Sequence, residues 1–384
     1  MSTERLGLVE PTLSDATVPE TRRSSVRVRQ AEGPGRLLFV DFVRLFASFQ
    51  MLHGHTIDAL LDRELRQGPV FGAWSWQRGL VSVSFLFAAG IAFTLSTLTR
   101  LDAFHADRSN LTRRWKRIAW LVTLGYLMHF PAEALSDDPT RASASLNGFL
   151  IADVLQCIGA SMALLQGLTS VLRNARRVTV VAGVLALGLF AFAPLADAVN
   201  VEGPLRPLAN YLTHRGGSLF PLFPWAGYVF AGVVAAAILA PRGTSTPPHV
   251  AARRAALVAA GGLGIWAIAR WFPWRVTTDD TTYHAVPSFA LLKLAVVLVL
   301  VLAFTLLALR VTRLPRVLRV LAGESLMLYW FHLTLLYGAG IGLRSWIGPT
   351  LSLSATLAVA SLVVVGSALV GIGWHRLKAW RAAH

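Results

Sequence analysis

Near the start of the chain, Leu37 to Asp62 reads LLFVDFVRLFASFQMLHGHTIDALLD, placing Asp41, Arg44, His53, His55 and Asp58 among apolar residues. Histidine is the side chain most easily poised as a general base near neutral pH, and a neighbouring carboxylate can hold its tautomer. Arg44 offers a planar, permanently charged fork that suits a phosphate or a carboxylate. On a helix, Arg44 and His55 return to nearly the same face, about 16 Å apart along the axis. Asp41 lies one turn before Arg44 and Asp58 one turn after His55, a spacing that permits local pairs. His53, about 200° round from His55, faces elsewhere. This pattern makes His55 the candidate base, Asp58 its orienting acid and Arg44 the anion binder.

The element that must carry these groups is a membrane helix. The stretch exceeds the about 20 residues needed to cross a bilayer. An ionisable side chain at that depth costs at least about 2.5–3.5 kcal/mol, so the polar seam is expected to face a partner or a wet cavity. Similar apolar runs recur along all 384 residues, of which 54% are hydrophobic and 15% charged, which excludes an ordinary soluble domain. The spans are expected near 37–58, 79–98, 117–134, 148–169, 178–196, 218–240, 255–272, 288–309, 317–340 and 352–374. With both termini in the cytoplasm, most of the 36 Lys and Arg fall on the cytoplasmic side. The fold class is therefore all-α: a polytopic membrane protein with about ten transmembrane helices around an internal polar cavity. Residues 1–36 read as a disordered basic tail, 37–374 as the transmembrane domain and 375–384 as a second basic tail, in a chain of the cell (plasma) membrane. The formal charge of +16 follows from the positive-inside bias, with no soluble domain on which nucleic acid could bind. The single cysteine, Cys157, excludes an internal disulfide, and no metal site is expected.

Sorted by depth, Asp41, Arg44 and Glu324 lie toward the inner face, whereas His55, Asp58, His129, Asp153 and Lys293 lie toward the outer one. His332 comes out near the middle. Several helices thus contribute polar groups to one cavity, with Gln156 and Trp225 as further lining; Asp153 and Lys293 could also snorkel to the headgroups. A proton-coupled transporter of an anionic or small polar solute uses similar groups. It is disfavoured because the two halves lack corresponding Gly/Pro-broken helices.

Asp41-x-x-Arg44 followed by His55 resembles the first-helix motif of integral-membrane acyltransferases: the acyltransferase type 3 family and the heparan-alpha-glucosaminide N-acetyltransferase-like proteins. Further stretches resemble the second group in its order. These are SVSFLFAAGIAF (82–93), RRWKRIAWLVTLGYLMHFP (113–131), IADVLQCIGAS (151–161), LFPLFPWAGYVFAG (219–232) and GESLMLYWFHLTLLYG (323–338). One departure is Leu45, where relatives usually carry Gly after the Arg. The resemblance implies acetyl-CoA (acyl-CoA) as co-substrate, drawn from the cytoplasm, and an acyl group delivered to a hydroxyl or amine. It carries the catalytic role onto His55 and the arginine's role onto Arg44. Trp225, Glu324 and His332 are then expected near the acyl-CoA, and His129, Asp153, Gln156 and Lys293 along the acceptor side. The expected partners are the lipid bilayer, acyl-CoA and a glycan or small-molecule acceptor; the acceptor's identity and a homo-oligomeric state stay open.

Overall fold

Without water, a backbone can satisfy its polar groups within one segment only as a helix, and each apolar run of this chain becomes one. The computed structural model describes residues 37–384 except 107, 131–136, 200, 202, 273–283 and 339–340. The tail expected over 1–36 lies outside the described residues. In chain order the helices are α1 (Leu38–Leu60), α2 (Gly68–Arg78), α3 (Leu80–Ser96), α4 (Leu101–Ala106), α5 (Arg108–Met128) and α6 (Pro139–Phe149). There follow α7 (Val154–Leu172), α8 (Ala175–Ala191), α9 (Ala193–Ala198), α10 (Arg206–Ala209), α11 (Leu222–Leu239) and α12 (Pro248–Ala269). The last are α13 (Pro287–Arg310), α14 (Arg316–Gly323), α15 (Ser325–Tyr337), α16 (Leu343–Trp346) and α17 (Leu353–Ala383). Among the described residues there is no β-strand; a lone bridge between Leu61 and Leu351 ties the end of α1 to the chain just before α17. Among the described residues six helical stretches are long and apolar enough to cross a membrane: 68–100, 139–172, 222–239, 248–269, 287–310 and 353–383.

Local chemistry sets several helix ends. Asp153 caps α7, accepting a hydrogen bond from Val154 N at 2.6 Å, and Ser352 caps α17. The span expected at 317–340 is broken: α14 stops at Gly323, Glu324 leaves helical geometry, and α15 begins at Ser325. Gly323 weakens the helix there, and the Glu324 carboxylate sits favourably at the N-terminus of α15. Its oxygens take Lys378 Nζ at 2.6–2.7 Å and His375 Nδ1 at 3.1 Å from the last turns of α17. At about 1.5 Å per residue, α17 is longer than the hydrocarbon core, so these turns reach beyond it.

The centre of the bundle is a seam between α3 and α11. Phe87, Ile91, Tyr228 and Phe230 are buried there, and the backbones touch because Gly90 and Gly232 carry no side chain. A Cβ on Gly90 would stand 1.9 Å from Val229 O, and one on Gly232 2.2 Å from Phe87 O. Thr94 Oγ1, 3.3 Å from Val233 O, adds a polar tie of the kind that joins membrane helices. Around this seam α1 packs against α3, α13, α15 and α17. Val184, Leu263, Leu362 and Leu369 remain exposed, as lipid-facing side chains must.

The seam makes a direct prediction. Gly90→Leu should cost about 1–3 kcal/mol or more of stability by overpacking, read as an earlier transition in detergent-induced unfolding. Gly261→Leu, where a Cβ meets nothing within 4 Å, should leave the transition in place.

Candidate active site

The C-terminal half of α1 presents His55 to α15. The His55 ring lies 5.4 Å from the His332 ring, and edge-on to Tyr337 at 6.0 Å between centroids. The Tyr337 hydroxyl donates to His55 O at 3.1 Å, fixing the backbone of α1 against α15. His332 is fully buried. Its Nδ1 donates to Leu328 O at 2.8 Å, so the lone pair lies on Nε2, which has no hydrogen-bond partner among the described residues. Neither ring nitrogen of His55 is engaged by a described residue, and the side chain is only partly buried. Two imidazoles, one held in a single tautomer and one free to exchange a proton, thus stand side by side.

Asp58 does not orient His55. Its carboxylate forms an ion pair with Arg78, the last residue of α2, in place of the local pair that the helical spacing suggested. Arg78 reaches it because position 54 is glycine: a Cβ there would stand 3.2 Å from the Arg78 Cγ and Cδ. A guanidinium is the stronger partner for a carboxylate, and Arg78 is also held over the Trp74 ring at 5.5 Å. His53 stacks on Phe49, away from the site.

From His332 the polar groups continue inward. Tyr329, one turn earlier on α15, has its ring 5.9 Å from that of His332, and its hydroxyl is 3.5 Å from Asp153 Oδ2. Asp153 Oδ2 in turn lies 3.7 Å from His129 Nε2, while His129 Nδ1 donates to Gly125 O at 3.1 Å. Gln156, one turn on from Asp153, is completely buried with neither amide atom bonded among the described residues. It fits only because position 125 is glycine; a Cβ there would meet Gln156 Oε1 at 2.4 Å. His55 on α1, His332 and Tyr329 on α15, Asp153 just before α7 and His129 just after α5 therefore stand in series as one array of polar groups.

Beside that array runs a cavity of about 220 Å³, lined by Arg44, Met51, Phe85, Leu121, Val154 and Tyr329 among others. Its walls are chiefly apolar, with Arg44 toward the start of α1 and Tyr329 toward the polar array. Of the residues expected near acyl-CoA, Arg44 lines this cavity, and Trp225, Glu324 and His332 are not among its lining residues. Glu324 is committed to Lys378 and His375, although its chain neighbours Ser325 and Leu326 line the cavity. Trp225 belongs to a separate cluster where α11 and α13 begin.

In that cluster Trp225 Nε1 donates to His214 Nε2 at 3.1 Å, and His214 Nδ1 donates to Asp197 Oδ1 at 3.2 Å. The His284 ring lies over His214 and beside Trp225, with its Nδ1 3.5 Å from Lys293 Nζ. Burial, and then the Lys293 ammonium, push the His284 imidazole down to about 3, so it is neutral and can accept from Lys293. Lys293 is itself buried, its ammonium over the Trp225 and Phe289 rings and against Gly79, the neighbour of Arg78. Asp153 and Lys293 are thus both engaged by side chains of other elements.

Arg78, Tyr329, Tyr337, Asp197, His214 and His284 were not evident from sequence. Tyr329 had a signal in its one-turn spacing from His332 on a single helix, whereas Tyr337, five residues beyond His332, did not. Arg78 and the Asp197–His214 pair had none, since their partners lie on other elements.

A family model described as heparan-alpha-glucosaminide N-acetyltransferase, catalytic, matches residues 36–271, more than half of the chain. No curated protein matches the chain.

The Asp58–Arg78 pair is partly exposed, with side-chain accessibilities of 25% and 36%. A double-mutant cycle of Asp58→Ala and Arg78→Ala should therefore return a coupling of about 1 kcal/mol in detergent-induced unfolding. A coupling near zero would contradict the pairing.

Proposed function

Because the chain belongs to the heparan-alpha-glucosaminide N-acetyltransferase catalytic family, a family of membrane acyltransferases, we propose that it moves an acetyl group from acetyl-CoA to a hydroxyl or amine. The acceptor is a glycan or another small molecule. One observation carries this reading: His55 stands beside His332 with neither ring nitrogen engaged among the described residues, and Met51, one turn before it on α1, lines a cavity that also holds Arg44. An apolar channel with a guanidinium at one end suits a long thioester arm with an anionic head. The proposed topology is ten crossings with both termini in the cytoplasm of a plasma-membrane protein, which brings Arg44 to the side where acetyl-CoA resides.

A thioester is already activated, so the protein has to supply a base and stabilise developing negative charge. His55 takes the proton from the acceptor O–H or N–H. The acceptor atom then bonds to the thioester carbonyl carbon, and negative charge collects on the carbonyl oxygen, near the Arg78 guanidinium held by Asp58. Collapse breaks the C–S bond, the thiolate leaves with its electron pair, and the His55 imidazolium returns a proton to it. His332, held in one tautomer by Leu328 O with its ring 5.4 Å from that of His55, is proposed to orient the imidazole as it gains charge. Arg44 is proposed to hold the anionic part of acetyl-CoA. Tyr329, Asp153 and His129 extend the array as a proton path on the acceptor side.

Purified protein with acetyl-CoA and an acceptor should release free thiol, and His55→Ala should lower that rate by about 10²–10⁴-fold with unchanged elution and unfolding behaviour. Undiminished release by the folded variant would remove His55 from the mechanism.

A further inference from the structure

A second cavity, of about 450 Å³, lies under the chain between α9 and α11, at the end of the bundle where α11 and α13 begin. Its wall includes Gly203, Arg206, Asn210, Thr213, Arg215 and Gly216, and it is predominantly polar. Nothing assigned so far uses it. The Arg206 guanidinium makes no hydrogen bond or ion pair among the described residues. Arg215 donates through Nε to Asp197 O at 2.5 Å, and no carboxylate takes its terminal nitrogens. Two guanidiniums on one small cavity repel each other unless an anion sits between them.

The wall is also held in position. Asp197 Oδ1 accepts from Thr213 Oγ1 at 3.2 Å, His214 N at 3.0 Å and His214 Nδ1 at 3.2 Å, and Thr213 Oγ1 accepts from Arg215 N at 3.2 Å. Asn210 is fixed by its Nδ2 bond to Leu150 O at 2.9 Å. Gly216 lets the chain close over it, for a Cβ there would lie 1.6 Å from Asn210 Oδ1. The cavity thus pairs anchored cations with amide and hydroxyl groups. Its volume is that of a site for a ligand of one or two sugar rings.

Successive residues of the turn serve two sites. Thr213 and Arg215 face the cavity, while His214 between them bonds to Trp225 and stacks on His284, which meets Lys293. We propose that this cavity binds the anionic group of a hydroxylated acceptor, a sugar acid or sugar phosphate, with Arg206 and Arg215 holding the charge. The assignment to the acceptor rests on the acyl-transfer reading; binding of the anion does not.

The test uses the full chain in detergent and in nanodiscs, with tryptophan fluorescence as the binding readout. The probes are glucuronate, glucose 6-phosphate and neutral glucose. At least one anionic sugar should bind and glucose should not. Arg206→Gln, which breaks no internal contact, should weaken that binding about tenfold without moving the unfolding transition. Equal binding by Arg206→Gln, or no binding of either acid by the wild type, overturns the site. Nanodiscs of phosphatidylcholine are compared with nanodiscs containing phosphatidylglycerol. Loss of sugar binding in the anionic lipid alone would mean that a headgroup fills the cavity, and it overturns the acceptor assignment. Binding without thiol release would sink the transfer reading and keep the anion site, whereas thiol release without binding would do the reverse.

Discussion

Charge held away from water is costly unless it is paired, and that constraint organises the interior of this bundle. Asp58 is taken by Arg78, Asp153 by a helix N-terminus together with Tyr329 and His129, and Glu324 by Lys378 and His375. Lys293 has aromatic faces and a neutral imidazole instead of a carboxylate. Once these groups are committed, His55 keeps two unengaged ring nitrogens in a partly accessible position. The scaffold therefore sets one imidazole apart by pairing the charged groups around it. That is the condition the proposed base requires.

The glycines serve the same end. Gly54 admits Arg78 to Asp58, Gly125 admits Gln156 to the interior, and Gly79 leaves room for the Lys293 ammonium. Each lets a long polar side chain cross from one helix to the next. Gly90 and Gly232 act differently, bringing the backbones of α3 and α11 into contact and setting the frame on which α1 packs, with α15 in turn against α1. The break at Glu324 separates two tasks: α14 and Glu324 meet the far end of α17, while α15 presents Tyr329, His332 and Tyr337 to α1.

Much of this was legible in the chain, for a definite reason. Apolar runs of membrane length are a direct requirement of the solvent, and each stretch expected to span carries a helix. Helix ends were less legible. The run expected from 148 begins its helix at Val154 because Asp153 caps it, and the run from 317 to 340 is split at Gly323–Glu324. The partners of the site were the least legible. Asp58 was assigned to His55 because helical spacing shows only neighbours on one helix, and its actual partner, Arg78, arrives on another. Trp225 likewise sits in a cluster of its own with His214 and Lys293, since depth along a helix says nothing of which face it shows to which neighbour.

The most direct test is a cryo-EM structure with a non-hydrolysable acetyl-CoA analogue in which methylene replaces the thioester sulfur. Its carbonyl is expected within hydrogen-bonding reach of the groups around His55, with the arm along the cavity and the anionic head toward Arg44. An analogue bound elsewhere, with the His55 and Arg44 side chains untouched, would contradict a transfer centre on the first helix.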